Sequence, residues 1–383
     1  MTNTRKFLPT AALLGSLLLL AACKLTTNGN SLPSGPSGGN SAEYLFVSSQ
    51  DTVWSYSVDS TTGALGAATA VSGPHVSEGM VANPAGSYLY VSDSINDEVN
   101  VYSVSSSGVL NPISGSPYAV GTVPSGNSMV AAAGLAVDST GTYLYAADYQ
   151  NNAIAGFSIT GSTGALTSLG TPVVNAGGPA HIVIDSTNNY LYTSDYNSGV
   201  VGGVTAYTLN SSNGVLTPVP GFSPFTTVGD GGPFGLATTG GFLYVGESLA
   251  NSVAQFSITN GTGGLLPITT AIASGNSPAG MAVTPNGKYL YVANANDTTI
   301  SGYSVGSTGA LTALSGSPFA ASSNPYYLKI DPSGAFLYAT NLSAGTITGF
   351  TINSSTGALT QFSGSPTSVG INPTSLAVVA VSQ

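Results

Sequence analysis

A short phrase of aromatic and aliphatic residues occurs seven times along the chain, at intervals of about fifty residues. The copies begin at Tyr44, Tyr88, Tyr143, Tyr190, Phe242, Tyr289 and Phe336, and the fullest of them reads Tyr-Leu-Tyr-Val. Repeats of this length in a chain of strand-forming residues are typical of a β-propeller, in which each repeat is one blade. The sequence therefore predicts an all-β, seven-bladed propeller of four-stranded antiparallel blades.

Each repeat contains four segments with strand character. The first follows a proline, as in residues 278–285, and a turn such as Asn286-Gly287 connects it to the repeated phrase. The third segment is centred on an aromatic residue, and the fourth begins at a leucine; these leucines are Leu65, Leu110, Leu166, Leu216, Leu265, Leu311 and Leu359. Propeller strands are buried on both faces, so we expect the repeated aromatic rings to pack between neighbouring blades.

The two ends of the chain are complementary. No proline-led strand precedes Tyr44, whereas residues 373–381 form a proline-led strand that nothing follows. We therefore predict that the C-terminal strand becomes the innermost strand of the first blade. This arrangement closes the ring and removes two unpaired strand edges.

The first residues have the pattern of an export signal. Arg5 and Lys6 precede an apolar run over residues 8–22, which is too short for a spanning helix. The run ends in Leu20-Ala21-Ala22-Cys23, which resembles the lipobox of bacterial lipoproteins. This resemblance implies a signal peptide over residues 1–22, a lipidated Cys23 that anchors the protein to a bilayer, a flexible tether over residues 23–42 and a propeller over residues 43–383. We expect an exported protein at the outer membrane or cell surface, or on the periplasmic side.

Charge excludes two classes of partner. The chain has a formal net charge of −10, and removal of residues 1–22 would leave Lys24, Lys288 and Lys329 as its bases, with no arginine. Nucleic-acid binding requires a basic surface, and tight recognition of a phosphorylated substrate usually requires an arginine fork. Neither partner is therefore expected. Cys23 is the single cysteine, so no disulfide stabilises the fold.

Extra residues collect in three connections, over residues 118–133, 198–204 and 222–232. The connections between second and third strands, and those between a fourth strand and the next first strand, emerge on the same face of a propeller. We call this the top face. Because binding loops are where insertions accumulate, the top face is the predicted functional surface.

The repeat resembles a known family. The proline-led strand, the phrase Tyr291-Val292-Ala293-Asn294 and the Gly-Ala-Leu-Thr ending of the blade are similar to the seven-bladed YVTN and lactonase-type propellers. That resemblance covers residues 43–383. The family contains sugar-lactone hydrolases, including 6-phosphogluconolactonase-like proteins, and muconate cyclases, as well as surface and binding proteins on the same scaffold, so the resemblance implies the fold more strongly than an activity.

The lactonase branch has a typical site sequence, Gly-Pro-Arg-His, followed by a strand that ends in Asn-Glu. Here residues 178–181 read Gly-Pro-Ala-His, so His181 matches the family histidine and alanine stands in place of the arginine. Asp195 and Tyr196 stand where the family has asparagine and glutamate. The resemblance implies His181 as a general base, helped by Asp195, acting on an uncharged lactone.

Other polar residues are predicted to lie on the top face or in the channel. The ligand-face residues are His75, Glu78, Asp93, Asp148, Asp230, Glu247, Asn294 and Lys329. The acids and amides at strand ends either cap their own loops in Asx turns or line the channel mouth and attract a cation. The histidines are either structural or catalytic, and Lys329 either lines the channel or pairs with an acid. No metal or cofactor is expected; the alternative is a calcium site, for which Asp93, Asp97 and Glu98, with Asn96, are the candidate ligands.

Two functions remain compatible with these residues. The first is a lipid-anchored propeller that acts as a non-enzymatic scaffold and binds a ligand, an envelope protein or a glycan through its top face. The second is a lactonase-like hydrolase that uses His181. The groups that meet at the mouth of the central channel distinguish the two, because a catalytic site requires convergent ionisable groups.

Overall fold

The protein is described by a computed structural model that covers residues 42–121, 132–175, 177–196, 202–221, 225–226 and 231–381. Within these residues every regular element is a strand, and the strands form seven antiparallel sheets arranged as propeller blades. The predicted all-β propeller is confirmed. In the described ranges no helix has the length and apolar character needed to cross a membrane.

The first strands of successive blades contact one another around the axis, and the later strands of each blade follow outward in order. Blade 1 consists of β1 (Ala42–Ser49), β2 (Thr52–Val58), β3 (Leu65–Ser72) and β34 (Pro373–Val381). Blade 2 consists of β4 (Met80–Ala82), β5 (Tyr88–Asp93), β6 (Glu98–Val104), β7 (Leu110–Pro112) and β8 (Tyr118–Ala119). Blade 3 consists of β9 (Ala132–Val137), β10 (Tyr143–Asp148), β11 (Ala153–Ile159), β12 (Leu166–Ser168) and β13 (Val173–Val174). Blade 4 consists of β14 (Pro179–Ile184), β15 (Tyr190–Asp195), β16 (Gly203–Leu209), β17 (Leu216–Pro218) and β18 (Phe225–Thr226). Blade 5 consists of β19 (Pro233–Thr239), β20 (Phe242–Glu247), β21 (Ser252–Ile258), β22 (Leu265–Pro267) and β23 (Ile272–Ala273). Blade 6 consists of β24 (Pro278–Val283), β25 (Tyr289–Asn294), β26 (Thr299–Val305), β27 (Leu311–Ala313) and β28 (Phe319–Ala320). Blade 7 consists of β29 (Pro325–Ile330), β30 (Phe336–Asn341), β31 (Thr346–Ile352), β32 (Leu359–Gln361) and β33 (Thr367–Ser368).

The fourth strands begin at the seven predicted leucines, but the outer edge of blades 2 to 7 differs from the predicted four-stranded blade. In blades 2 to 7 the fourth strand is only three residues long, and a two-residue strand after it pairs with the start of the third strand. In blade 6, for example, Tyr303 pairs with Ala313 while Ile300 pairs with Phe319. Two short outer strands thus share one long third strand, which leaves a short outer edge.

The ring closes as predicted. β34 is hydrogen-bonded to β1 in antiparallel register from Ala42 opposite Val381 to Ser49 opposite Pro373. Ala377, on β34, belongs to a core cluster shared with blade 2, and Val378 belongs to one shared with blade 7. The C-terminal strand therefore supplies the inner strand of blade 1 and packs against both neighbouring blades.

Tyrosine hydroxyls fasten each blade to the next. The third residue of the repeated phrase donates a hydrogen bond to a glycine carbonyl in the turn between the third and fourth strands of the following blade. The pairs are Tyr90 with Gly164, Tyr145 with Gly214, Tyr192 with Gly263, Tyr244 with Gly309, Tyr291 with Gly357 and Tyr338 with Gly63. In blade 1, Phe46 has no hydroxyl to donate. The aromatic repeat is therefore an inter-blade contact, as expected.

The glycines of these turns leave no room for a side chain. Each has a positive φ and lies against the first aromatic ring of the phrase in the preceding blade; the pairs are Gly63 with Phe336, Gly108 with Tyr44, Gly164 with Tyr88, Gly214 with Tyr143, Gly263 with Tyr190, Gly309 with Phe242 and Gly357 with Tyr289. The repeated Gly and the repeated aromatic residue are thus two halves of one contact.

We expect Gly214→Ala to destabilise the protein by about 2–4 kcal/mol, because it adds backbone strain and overpacking. Gly214 has φ +73°, and a Cβ there would lie 2.6 Å from Cδ1 of Tyr143. Gly161→Ala is the matched control, since Gly161 lies in the corresponding turn of blade 3 and a Cβ there meets nothing within 4 Å. Chemical unfolding measures both changes, and equal midpoints for the two variants would contradict the role of the Gly214 contact.

Candidate functional site

Two positions at the start of each innermost strand determine what occupies the mouth of the channel. They follow the first-strand proline in blades 1 and 4 to 7, and in several blades they hold small residues because adjacent inner strands approach closely. A Cβ on Gly235 would lie 1.8 Å from the carbonyl oxygen of Ala279, and one on Gly280 would lie 2.5 Å from that of Tyr326. Blades 2, 4, 5 and 7 depart from this pattern. We call their larger residues the mouth cluster: Glu78, His181, Phe234, Tyr326 and Tyr327.

Glu78 takes its place in this layer by strand register. It precedes β4, in which Met80 pairs with Val91, as Leu328 pairs with Ala339 in blade 7. Glu78 lies two residues before Met80, and Tyr326 lies two residues before Leu328, so Glu78 and Tyr326 occupy equivalent positions. Its backbone carbonyl accepts a hydrogen bond from the hydroxyl of Tyr327.

Four rings of the mouth cluster contact one another in a closed cycle. The ring centroids of His181 and Phe234 are 4.4 Å apart in an edge-on arrangement, and those of His181 and Tyr327 are 5.6 Å apart. Tyr326 completes the cycle at 5.8 Å from Phe234 and 5.4 Å from Tyr327. Tyr196 also packs against Phe234, at 6.0 Å. The cycle brings together residues that are more than a hundred positions apart in the chain.

His181 presents a neutral imidazole to the channel. Its backbone N–H donates to Oγ of Ser194, whereas among the described residues its ring makes no hydrogen bond. The side chain is half-buried but surrounded by protein, and this desolvation lowers the pKa of His181 to about 4. The imidazole is therefore unprotonated at neutral pH and is able to accept a proton.

Glu78 is the ionisable acid of the mouth cluster. Burial raises the pKa of its carboxyl to about 7. Its negative charge also adds to the burial that raises the pKa of the hydroxyls of Tyr149, Tyr326 and Tyr327. The charge of Glu78 therefore acts on three phenol groups around the channel mouth.

Lys329 lies two residues beyond Tyr327 on β29. Its side chain is exposed to the channel lumen, and the surrounding protein lowers its pKa through desolvation. No acid of the described residues forms an ion pair with it. The structure thus places Lys329 in the channel, below the mouth cluster.

The acids and amides at the ends of second strands are held within their own blades. Asp195 is buried, and its carboxyl accepts hydrogen bonds from Asn175, Thr193 and Thr205, not from His181. Burial is the main cause that raises the pKa of Asp195, to about 6. Asn294 accepts a hydrogen bond from the backbone N–H of Gly275 and donates to the hydroxyls of Thr299 and Ser301.

Asp93 and Glu98 are paired directly opposite each other at the ends of β5 and β6. Asp93 accepts hydrogen bonds from the backbone N–H groups of Ile95 and Asn96 in an Asx turn. Asp97 instead faces Asp148 of blade 3, beneath Gly121, and burial followed by the charge of Asp148 raises the pKa of Asp97 to about 7. In the described ranges no three His, Cys, Asp or Glu side chains are placed to hold a metal ion.

The remaining predicted residues lie apart from the mouth cluster or outside the described residues. His75 is exposed and pairs through Nδ1 with Asp51 at 2.7 Å. Glu247 is buried against Gly231. Asp230 and Cys23 lie outside the described residues.

Sequence reasoning singled out His181, Glu78 and Lys329 but missed the aromatic residues Phe234, Tyr326 and Tyr327 of the mouth cluster, and Tyr149 beside them. A usable signal was present, because Phe234 replaces a small residue at the position that directly follows the first-strand proline. No local pattern marks Tyr149, which follows the last residue of β10 and reaches the mouth only through the fold.

Comparison with known proteins gives one family and a set of similar folds. The family model described as "Lactonase, 7-bladed beta-propeller" matches residues 42–228, 230–322 and 306–382. No curated protein sequence matches the chain.

Solved structures resemble the chain over nearly its whole described length. A proposed 6-phosphogluconolactonase from Bacteroides fragilis has a TM-score of 0.72 at 19% identity, covering 90% of this chain and 99% of that one. The periplasmic gluconolactonase of Pseudomonas aeruginosa has a TM-score of 0.72 at 18% identity, covering 89% and 100%. Hydrazine synthase of Kuenenia stuttgartiensis has a TM-score of 0.58 at 15% identity, covering 81% and 99%. At these identities the likeness concerns the fold alone.

Proposed function

Because this chain belongs to the seven-bladed β-propeller lactonase family, we propose that it hydrolyses an uncharged lactone at the mouth of its central channel. His181 acts as the general base. The observation that carries this proposal is the state of that imidazole: it is neutral at physiological pH, faces the lumen, and makes no hydrogen bond to another described residue.

The composition of the mouth cluster supports an uncharged substrate. Its walls are the rings of Phe234, Tyr326 and Tyr327, and its ionisable acid is Glu78. Alanine occupies the position of the family arginine, and the nearest cationic group on the same strand as the tyrosines is Lys329, deeper in the channel. No arginine is present to bind the phosphate of a phosphorylated sugar lactone with two hydrogen bonds. Aromatic rings, in contrast, pack well against the apolar face of an uncharged sugar ring.

The reaction requires one water molecule. His181 takes a proton from this water as its oxygen bonds to the carbonyl carbon of the lactone, and the resulting oxyanion collapses with cleavage of the bond to the ring oxygen. The ring oxygen leaves as an alkoxide that takes up a proton from solvent, so the product is a hydroxy acid. His181 then returns its proton to solvent.

A panel of lactones tests this function. We expect the purified protein to hydrolyse uncharged sugar lactones such as gluconolactone, and to turn over the 6-phosphorylated form with a kcat/KM lower by about 10²-fold, since the phosphate lacks a partner. A pH-stat assay that titrates the released acid, corrected for spontaneous hydrolysis, measures both rates. Absence of turnover across the whole panel would contradict the proposal.

A second function is favoured by one observation. The four rings pack against one another and the carboxyl of Asp195 is engaged inside its blade, an arrangement that also suits a rigid binding surface. In that case the propeller is a scaffold for an envelope protein or a glycan. Thermal stabilisation by cell-wall fragments, without turnover of any lactone, would favour the scaffold.

We further propose that the propeller is exported and held at the cell envelope through lipidated Cys23. The basic and apolar pattern of residues 5–22 and the Leu-Ala-Ala-Cys sequence support this location. Radiolabelled fatty acid incorporated by the native chain and not by a Cys23→Ser variant is the direct measurement.

A further inference from the structure

The acid partner expected beside the histidine is missing from blade 4. Tyr196 occupies the position where the lactonase branch has glutamate, and Asp195 is bonded to Asn175, Thr193 and Thr205. His181 therefore receives no carboxylate from its own blade among these contacts. A carboxyl that serves the same site has to come from elsewhere around the channel.

Blade 2 supplies one. Tyr327 contacts both groups, since its ring lies 5.6 Å from the imidazole of His181 and its hydroxyl donates to the backbone carbonyl of Glu78. By strand register Glu78 stands at the position in blade 2 that Tyr326 occupies in blade 7, and its charge adds to the burial that raises the pKa of the hydroxyls of Tyr149 and Tyr326. The acid and the imidazole thus reach the same mouth from two blades, with the tyrosine of a third blade between them.

We propose that Glu78 is a second catalytic residue, the general acid that protonates the ring oxygen of the lactone as the carbon–oxygen bond breaks, while His181 deprotonates the attacking water. This inference rests on the lactonase function proposed above. A new bond forms between the water oxygen and the carbonyl carbon, and the bond to the ring oxygen breaks. One proton moves from water to His181 and another moves from Glu78 to the ring oxygen. Solvent then removes the first proton and restores the second.

The environment holds the two groups in the protonation states that these roles need. The protein around the imidazole lowers the pKa of His181 to about 4, so the base is free above that pH. Burial raises the pKa of the Glu78 carboxyl to about 7, so the acid keeps its proton below that pH. The titratable groups on which the charge of Glu78 acts are Tyr149, Tyr326 and Tyr327, which stay neutral throughout this range. Two groups whose pKa values are displaced in opposite directions are the usual arrangement of a base and an acid that act together.

The experiment compares two leaving groups in wild type and Glu78→Gln. The leaving group of an aliphatic lactone is an alkoxide, which leaves poorly unless it is protonated. The phenolic lactone dihydrocoumarin releases a phenoxide, which leaves readily without a proton. We expect Glu78→Gln to lower kcat about 10²-fold on the aliphatic lactone and less than about 3-fold on dihydrocoumarin, with KM little changed. We also expect the wild-type kcat/KM for the aliphatic lactone to fall above a pH of about 7, and the variant to lose this alkaline limb.

Glu98→Gln is the matched control, because it makes the same substitution in blade 2 on a half-buried acid outside the mouth cluster. It should keep wild-type rates on both lactones. An equal loss on both lactones in Glu78→Gln, or an alkaline limb that persists in that variant, would overturn the role of Glu78 and leave the lactonase function intact. Inactivity of the wild type on both lactones would overturn the lactonase function and this inference together.

Discussion

Deletion of residues 373–383 is expected to abolish cooperative folding of the propeller. The deletion removes β34, which is hydrogen-bonded to β1 along its whole length. Without it, blade 1 has no inner strand and β1 presents an unpaired edge to the channel.

The packing lost with β34 is on the scale of the stability of a whole domain. Ala377, Val379 and Val381 pack with blade 2, and Leu376 and Val378 pack with blade 7; all five are buried. At roughly 1.5–3 kcal/mol for each large apolar side chain, their burial stabilises the fold by about 10 kcal/mol. Native domains have net stabilities of about 5–15 kcal/mol, so little is expected to remain.

A rearranged chain is the control for this deletion. Val381 lies directly opposite Ala42, so residues 373–381 can be inserted before Ala42 and joined to it by an Asn-Gly turn, with the chain ending at residue 372. This variant should recover the far-ultraviolet circular dichroism and most of the melting temperature of the native chain. If the simple deletion melts at the native temperature, closure by β34 is not what holds the ring together.

The same closure explains why the fold could be predicted from the sequence. Every blade has to bury both faces against similar neighbours, so one pattern is repeated at a fixed interval, and the residues that mark it form one contact. Tyr143 and Gly214, for example, belong to successive repeats and meet between blades 3 and 4. A local pattern of this kind predicts the strand order, the inter-blade contacts and the pairing of the two chain ends.

The site was predictable only in part, because it departs from the repeat. Asp93 and Asn294 stand at equivalent strand ends and seemed suited to a ligand, yet each bonds within its own blade. The register shift after the first-strand proline is common to blades 4 to 7, so the residue types placed there, and not the backbone, distinguish His181 and Phe234 from the small residues of blade 6. The meeting of His181 with Phe234 and Tyr327 depends on how the ring closes, which no short stretch of sequence records.

Replacement of His181 is expected to have the largest effect on catalysis. If His181 is the general base, His181→Ala should lower kcat/KM for an uncharged lactone by about 10²–10⁴-fold. The substitution removes a neutral ring whose edge packs on Phe234, so a modest fall in melting temperature is also expected. Rates measured at 25 °C on protein shown to be folded by circular dichroism separate the two effects.

The chain provides its own control for that replacement, because it contains two histidines. His75 is exposed and paired with Asp51, and the hydrogen bond to that aspartate, followed by its charge, raises the pKa of His75. His75 lies outside the mouth cluster, so His75→Ala should leave the rates unchanged. Added imidazole should restore part of the activity of His181→Ala and have no effect on the wild type, since a small base can enter the space left by the ring. A variant that loses activity without such rescue, and with a lower melting temperature, would assign His181 a structural role in the ring cycle with Phe234, Tyr326 and Tyr327.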